Sequence, residues 1–468
     1  MAMAASSSSS WCALKQSCVA LLMALACCLT TCARGAVEAL YVLGDSQADV
    51  GNNNYLPASL LKANYPHNGV DYPGGKPTGR FSNGYNFVDL LAYTCMHTRC
   101  ERRSERATMG SCTLSSGGVC VVVVLLCLAA CCLTCARGAV PAIYVLGDSQ
   151  ADVGNNNYLL HSLLKANFPH NGIDYPGGKP TGRFSNGYNF VDLIAISLGV
   201  PSPPPYLSIS SKPMNSSVYL KGVNFASGGA GVSNLTNLAQ CISFDEQIEG
   251  DYHRVHEALG KQLGIPGAKA HLAKSLFVVA IGGNDIINDL LLSPVSELLR
   301  SRDEIVSNLE NTLKRQLQTL YDLGMRRLFF VGIAPLGCCP LIRELNPTKE
   351  CDAQANYMAT RLNDAAVVLL RDMSETHPDF TYSFFDTYTA VLQSIRYKEV
   401  KAACCGLGDN NAMFLCSPAS VYCDNRTSYM FWDVVHPTQA AVEKLMKIAF
   451  DGSAPLVSPK NIKQLTES

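Results

Sequence analysis

The sequence predicts an α/β fold, a parallel sheet with helices packed on both faces. Two observations lead there. Residues 139–468 alternate short, almost continuous apolar runs with longer stretches of 3.6-residue periodicity. Apolar runs without alternation are the mark of strands buried on both sides, as in parallel sheets, and strand–helix alternation at these lengths is the mark of crossover units. A third observation locates function. Each run ends in a turn rich in Gly, Asp, Asn or Pro, and ligands of such sheets bind at the carboxyl ends of the strands.

The strands read in order. Ala142–Leu146 runs into Gly-Asp-Ser, and Tyr219–Ala226 ends at Ser227-Gly-Gly229-Ala-Gly. Ser275–Ile281 ends at Gly282-Gly-Asn284-Asp285, Arg327–Ile333 at Ala-Pro-Leu-Gly, and Phe380–Phe385 at Asp386. Between them lie amphipathic helices. Glu304–Leu323 places Ile305, Leu309, Leu313, Leu317 and Leu320 on one face, with Gly324 as its C-terminal stop. Asn356–Met373 and Thr438–Phe450 follow the same pattern, and Pro201–Ser217 reads as a loop.

Composition narrows the function. The 468 residues carry 37 Lys+Arg against 38 Asp+Glu, a net charge of −1. Without excess cation, the electrostatic footprint of a nucleic-acid binder is missing. Apolar content of 48% against 16% charged residues excludes a mainly disordered chain.

Cysteine is abundant, 21 residues, of which eight follow residue 139: Cys241, Cys338, Cys339, Cys351, Cys404, Cys405, Cys416 and Cys423. In an oxidising compartment these read as loop-stapling disulfides, with 105 full pairings open. Zinc is the competing reading for the Cys404/Cys405/Cys416/Cys423 cluster, but the paired C-x2-C spacing is missing. The N-terminus supports oxidation. Val19–Leu29 is wholly apolar and a small-residue cleavage site follows, so residues 1–35 read as a secretory signal peptide. Secretion makes Asn215, Asn234 and Asn425, each in an Asn-x-Ser/Thr triplet, glycosylation candidates.

The sequence also repeats itself. Residues 36–92 recur 103 positions later as residues 139–195, differing at seven of the 57 positions and identical at 50. Residues 93–138 join the copies and hold a second signal-like run, 119–135, at the lower limit of length for a membrane span. A fragment and one full copy do not make a solenoid. Residues 36–92 therefore read as a truncated duplicate, 139–456 as the working domain and 457–468 as a tail. Ser46 of the duplicate has no base to activate it, and the fragment has too few strands to close a core, so it is expected not to fold, if it is present at all. No stable membrane span is expected.

The chemistry rests on three pieces. Ser149 directly follows a buried strand, where its hydroxyl can be presented at the sheet edge, although Gly-Asp-Ser is also an ordinary turn. Asp433-Val-Val-His436 can deliver a base and its orienting carboxylate from one loop, and Pro437 is expected to open the next helix at its first turn. The Gly-rich turns at Gly229 and Asn284 could supply fixed donors to a developing oxyanion. None of the glycine turns has the spacing of a phosphate loop or a dinucleotide fingerprint.

Together these pieces resemble the GDSL esterase/lipase family of SGNH hydrolases, in its secreted plant branch. The resemblance is carried by Val145-Leu-Gly-Asp-Ser-Gln-Ala-Asp-Val-Gly-Asn-Asn-Asn157, Gly182-Arg-Phe-Ser-Asn-Gly187, Gly222–Gly231, Ile281-Gly-Gly-Asn-Asp285 and Phe431-Trp-Asp-Val-Val-His-Pro437. It implies a flavodoxin-like three-layer αβα sandwich with a central parallel sheet. It assigns Ser149 as nucleophile, His436 as base, Asp433 as its orienting acid, and Asn284 with Gly229 (Gly228 as the alternative) as the oxyanion hole. A secreted hydrolase of small-molecule or lipid esters is expected, with no cofactor and no metal. Acyl transfer to a sugar or phenolic acceptor on the same site, or a non-catalytic binding role, are the alternatives.

Overall fold

A computed structural model describes residues 140–468, apart from 211–215, 292–300, 395–396 and 468, together with short stretches between 49 and 82. Met1–Cys135 and Ala136–Ser468 are separate units. The second alternates strand and helix. It runs through β1 (Ile143–Gly147), α1 (Phe190–Leu198), β2 (Gly222–Asn224), α2 (His253–Lys274), β3 (Leu276–Ala280), α3 (Gly283–Leu291) and α4 (Arg302–Asp322). It continues with β4 (Arg327–Val331), α5 (Pro340–Leu345), α6 (Ala353–Thr376), β5 (Thr381–Phe385) and α7 (Thr387–Ser394). Four short strands follow: β6 (Glu399–Ala403), β7 (Cys405–Gly406), β8 (Val421–Tyr422) and β9 (Tyr429–Phe431). The chain closes with α8 (Gln439–Asp451), β10 (Val457–Pro459) and α9 (Ile462–Glu467).

Among the described residues, six strands form one sheet in the order β10-β5-β4-β3-β1-β2. β1 to β5 pair parallel, and this 2-1-3-4-5 order is the flavodoxin arrangement. The expected αβα sandwich is therefore present. The strand order reverses between β1 and β3, the switch point at which ligands of such sheets are held. β1 and β3 are buried at every position, which is why the sequence reads as uninterrupted apolar residues. α1, α8 and α9 pack together, with α9 on β4 and β5, and a second group joins α3, α4 and α6.

Local chemistry fixes the elements that matter to the site. Asn189 caps α1 by accepting from the N–H groups of Val191 and Asp192, and the Asp192 carboxylate accepts from the Asn189 N–H in return. Asp192 also accepts two bonds from Arg183, at 2.7 and 2.8 Å, a buried bidentate pair. Thr438 caps α8. Pro437 does not open that helix as expected. It lies one residue before the cap and bridges Phe431 antiparallel, because the Thr438 hydroxyl takes over the first-turn N–H of Ala441.

The expected tail is also corrected. β10 pairs antiparallel with β5, and Ile462 and Leu465 are fully buried, so residues 457–467 complete the sheet edge and the core. Pro459 is tolerated because an edge strand leaves one side without a ladder.

In the first unit the described stretches hold a turn that repeats one in the second. Asp49 accepts from the N–H groups of Gly51 and Asn52 at 2.7 Å, and Asn54 donates to the Thr78 carbonyl at 3.1 Å. Asp152, Gly154, Asn155, Asn157 and Thr181 make the equivalent bonds. In this turn Asp49 accepts from N–H groups two and three residues on, while the Asn54 bond reaches 24 residues along the chain. Ser46 and the 119–135 run lie outside the described residues. Among the described residues no helix is long and apolar enough to cross a membrane.

Candidate active site

The site lies beyond the carboxyl ends of β1 and β3. Gly147 ends β1 with φ 147°, where a Cβ would collide with the Ala280 carbonyl oxygen of β3. Only glycine lets the two strands close here. Asp148 then turns the chain, its carbonyl accepting from the N–H groups of Ala151 and Asp152, and Ser149 emerges at the apex.

The imidazole arrives from the far end of the chain. His436 Nε2 is 2.7 Å from Ser149 Oγ. On its other edge, Nδ1 lies 2.7 and 2.8 Å from the two oxygens of Asp433. Asp433 Oδ1 also accepts from the backbone N–H groups of Val435 and His436, which fixes the carboxylate within its own turn. Both side chains are buried, and the Phe184 ring lies over the imidazole with centroids 4.9 Å apart. With a carboxylate on Nδ1, the tautomer with its proton there leaves Nε2 free to accept from a hydroxyl.

Two further turns complete the cleft. The Asn284 amide, at the start of α3, donates to the Ala230 carbonyl at 2.9 Å, which leaves its second N–H for another acceptor. Ala230 closes a turn on Ser227, with Gly229 inside that turn. Among the described residues, no protein group accepts from the N–H of Gly229 or Ser149. Gly228, the alternative donor, is corrected: its N–H donates to Asp152 Oδ2 at 3.1 Å.

The sequence did not single out the groups that hold these turns in place. Asp152 accepts from Gly154, Asn155, Asn156 and Gly228, and burial pushes its carboxyl up to about 6 against those bonds. Asn156 donates to the Leu164 and Gly228 carbonyls and accepts from the Ser227 hydroxyl. Asp285 ties Val232, Ser233 and Thr236 to the start of α3, its carboxyl raised by burial. The Gln247 amide clamps Gly147 through both its N–H and its carbonyl. Asp152, Asn156 and Asp285 lie within the motifs quoted for the family resemblance but received no role there, and Gln247 has no local signal.

Sulfur pairing is settled among the described residues. Cys338–Cys351, Cys404–Cys423 and Cys405–Cys416 are disulfides, and Cys241 and Cys339 are free. The zinc alternative for the late cluster fails, because all four of its sulfurs are bonded to one another. These late bridges hold the loop that carries the imidazole. Cys404 and Cys405 donate to the carbonyls of Phe431 and Trp432, and Trp432 donates from its backbone to the His436 carbonyl at 2.7 Å.

A cavity of about 400 Å³ opens at Ser149 and Asn284, walled by aliphatic and aromatic side chains from the ends of β3, β4 and β5, from α7 and from α8.

Residues 143–448 match the family model for the GDSL-like Lipase/Acylhydrolase. The chain belongs to the GDSL esterase/lipase family. One GDSL esterase/lipase of Arabidopsis thaliana is 39% identical over 344 residues, covering 70% of this chain and 91% of the relative. A second is 37% identical over 330 residues, covering 68% and 91%. An acetyl xylan esterase from Geobacillus stearothermophilus aligns at 16% identity over 66% of this chain and 92% of its own, with a TM-score of 0.31. As a GDSL esterase/lipase, the protein is an ester-bond hydrolase, and the cleft lies at the β1/β3 switch point.

Proposed function

We propose that the protein is a secreted serine hydrolase of carboxylic esters, lipid esters among them, working through an acyl-enzyme on Ser149. The carrying observation is the 2.7 Å approach of His436 Nε2 to Ser149 Oγ, with Asp433 on the opposite edge of the ring. His436 takes the hydroxyl proton as Oγ adds to the ester carbonyl. The N–H groups of Ser149 and Gly229 and the amide of Asn284 receive the oxyanion. Collapse expels the alcohol, which takes the proton from His436. Water then gives a proton to His436 and its oxygen to the acyl carbon, and Ser149 leaves with that proton, releasing the acid.

Three disulfides suit the secretory route. Asn234 and Asn425 are exposed and remain the glycan acceptors of choice, while Asn215 lies outside the described residues. The test is Ser149→Ala. It should lower hydrolysis of p-nitrophenyl esters by at least about 10³-fold and abolish labelling by a fluorophosphonate, while the melting temperature stays near that of the parent. Retained turnover would overturn the assignment.

A further inference from the structure

The cavity behind Ser149 carries information about the substrate. It touches the ends of β1, β3, β4 and β5, three inter-strand steps, or ~14 Å at the usual strand spacing. Its walls include Ile281, Ile333, Leu336, Met430 and Met446. Away from the reacting end, where Asp148, Ser149, Gln150 and Asn284 lie, the hydroxyl and guanidinium groups of the wall are already committed. Arg343 donates to the carbonyls of Cys338 and Lys349, to the Glu350 carboxylate and to Cys351 Sγ. The Tyr397 hydroxyl donates to the Ala440 carbonyl at 2.8 Å, and the Thr387 hydroxyl to the Phe385 carbonyl at 3.4 Å. A sugar or polyol entering here would shed its water without finding partners, at a cost per hydroxyl. A methylene chain would shed water and gain.

We propose that this cavity is a slot for the acyl half of the ester, and that Val391 at its far end sets the longest chain accepted. This rests on the acyl-enzyme reading above. Val391 lies on α7, which follows β5, and β5 is separated from β1 by β3 and β4. Val391 lines the cavity, and so does Tyr397, whose ring is backed by Lys444 with Nζ 3.8 Å from its centroid. A chain acylated onto Ser149 therefore runs across the strand ends and meets this wall last. Each methylene that fits should raise kcat/KM, by up to about fourfold, until the chain reaches Val391.

The experiment measures kcat/KM for p-nitrophenyl esters from acetate to palmitate, in the full chain and in Val391→Phe and Val391→Ala. In the parent, kcat/KM should climb with acyl length to an optimum and then fall. Val391→Phe should lower the ratio of the optimal ester to the acetate at least tenfold and move the optimum to a shorter chain. Val391→Ala should move it to a longer one. Ratios within one protein cancel differences in folded fraction, and the alanine variant decides the matter should the bulky one fail to fold. An unchanged optimum in Val391→Ala, or a parent that prefers acetate throughout, would overturn the slot while leaving ester hydrolysis standing. A parent that cleaves no ester in the series would instead sink the acyl-enzyme reading itself.

Discussion

Asp148 stands between the glycine that closes the sheet and the serine it presents, and its surroundings keep it from behaving as an ordinary carboxylate. Burial pushes it up to about 7, outweighing the N–H of Gln150 and the nearby His436. In the unfolded chain it titrates near 3.8. The folded state therefore holds the proton more tightly, and this group's contribution to stability is fully present below about pH 4 and is lost as pH rises towards 7. Asp148→Asn mimics the protonated form. Melting temperatures of parent and variant should match most closely near pH 4, with the parent falling behind by several degrees at pH 7; parallel curves would show that Asp148 ionises normally. At this scale the sequence revealed what reacts more readily than what supports it. Ser149, Asp433 and His436 sit in motifs that are each ordinary alone and point to one chemistry only when taken together. Asp152, Asn156, Gln247 and Asp285 act by accepting from or donating to backbone up to 100 residues away, and no local pattern encodes such a partner.

Among the elements, the parallel strands were legible because both their faces are buried, whereas β6 to β9 were not. β6 buries only Ala403 and β8 is exposed throughout, so neither leaves a buried apolar run. β10 escaped notice for another reason: three residues ending in proline do not read as a strand until the partner edge is known. Two cystines tie β6 to β8, and β9 joins the core through Met430 and Phe431. Closing the 404–423 and 405–416 loops contributes about 3 kcal/mol each by loss of unfolded-state entropy. Cys404→Ser with Cys423→Ser should therefore lower the guanidinium midpoint. It should also reduce kcat more than KM is raised, because the loop it loosens carries the base and not the cavity. A variant with unchanged kcat would show that β9 alone places His436.

For the whole molecule, the second unit contains the entire site, and its first described residues already pack, with Val140 and Ala142 buried. A chain of residues 139–468, sent through an oxidising compartment, should match the full-length protein in kcat/KM within about twofold and in melting temperature. A large deficit would give the duplicated segment a role that Ser46, with no base beside it in the sequence, does not suggest. The same unit holds the proposed catalytic groups by different kinds of order. The sheet seats the hydroxyl and the amide donors, whereas the imidazole comes from a loop held by its own Asp433 turn, by β9 and by two neighbouring sulfur bridges. A molecule that condensed before its thiols were oxidised would meet its ester with the imidazole less firmly placed, and would cut it more slowly. Maturation chemistry, together with folding, would then set the pace of turnover.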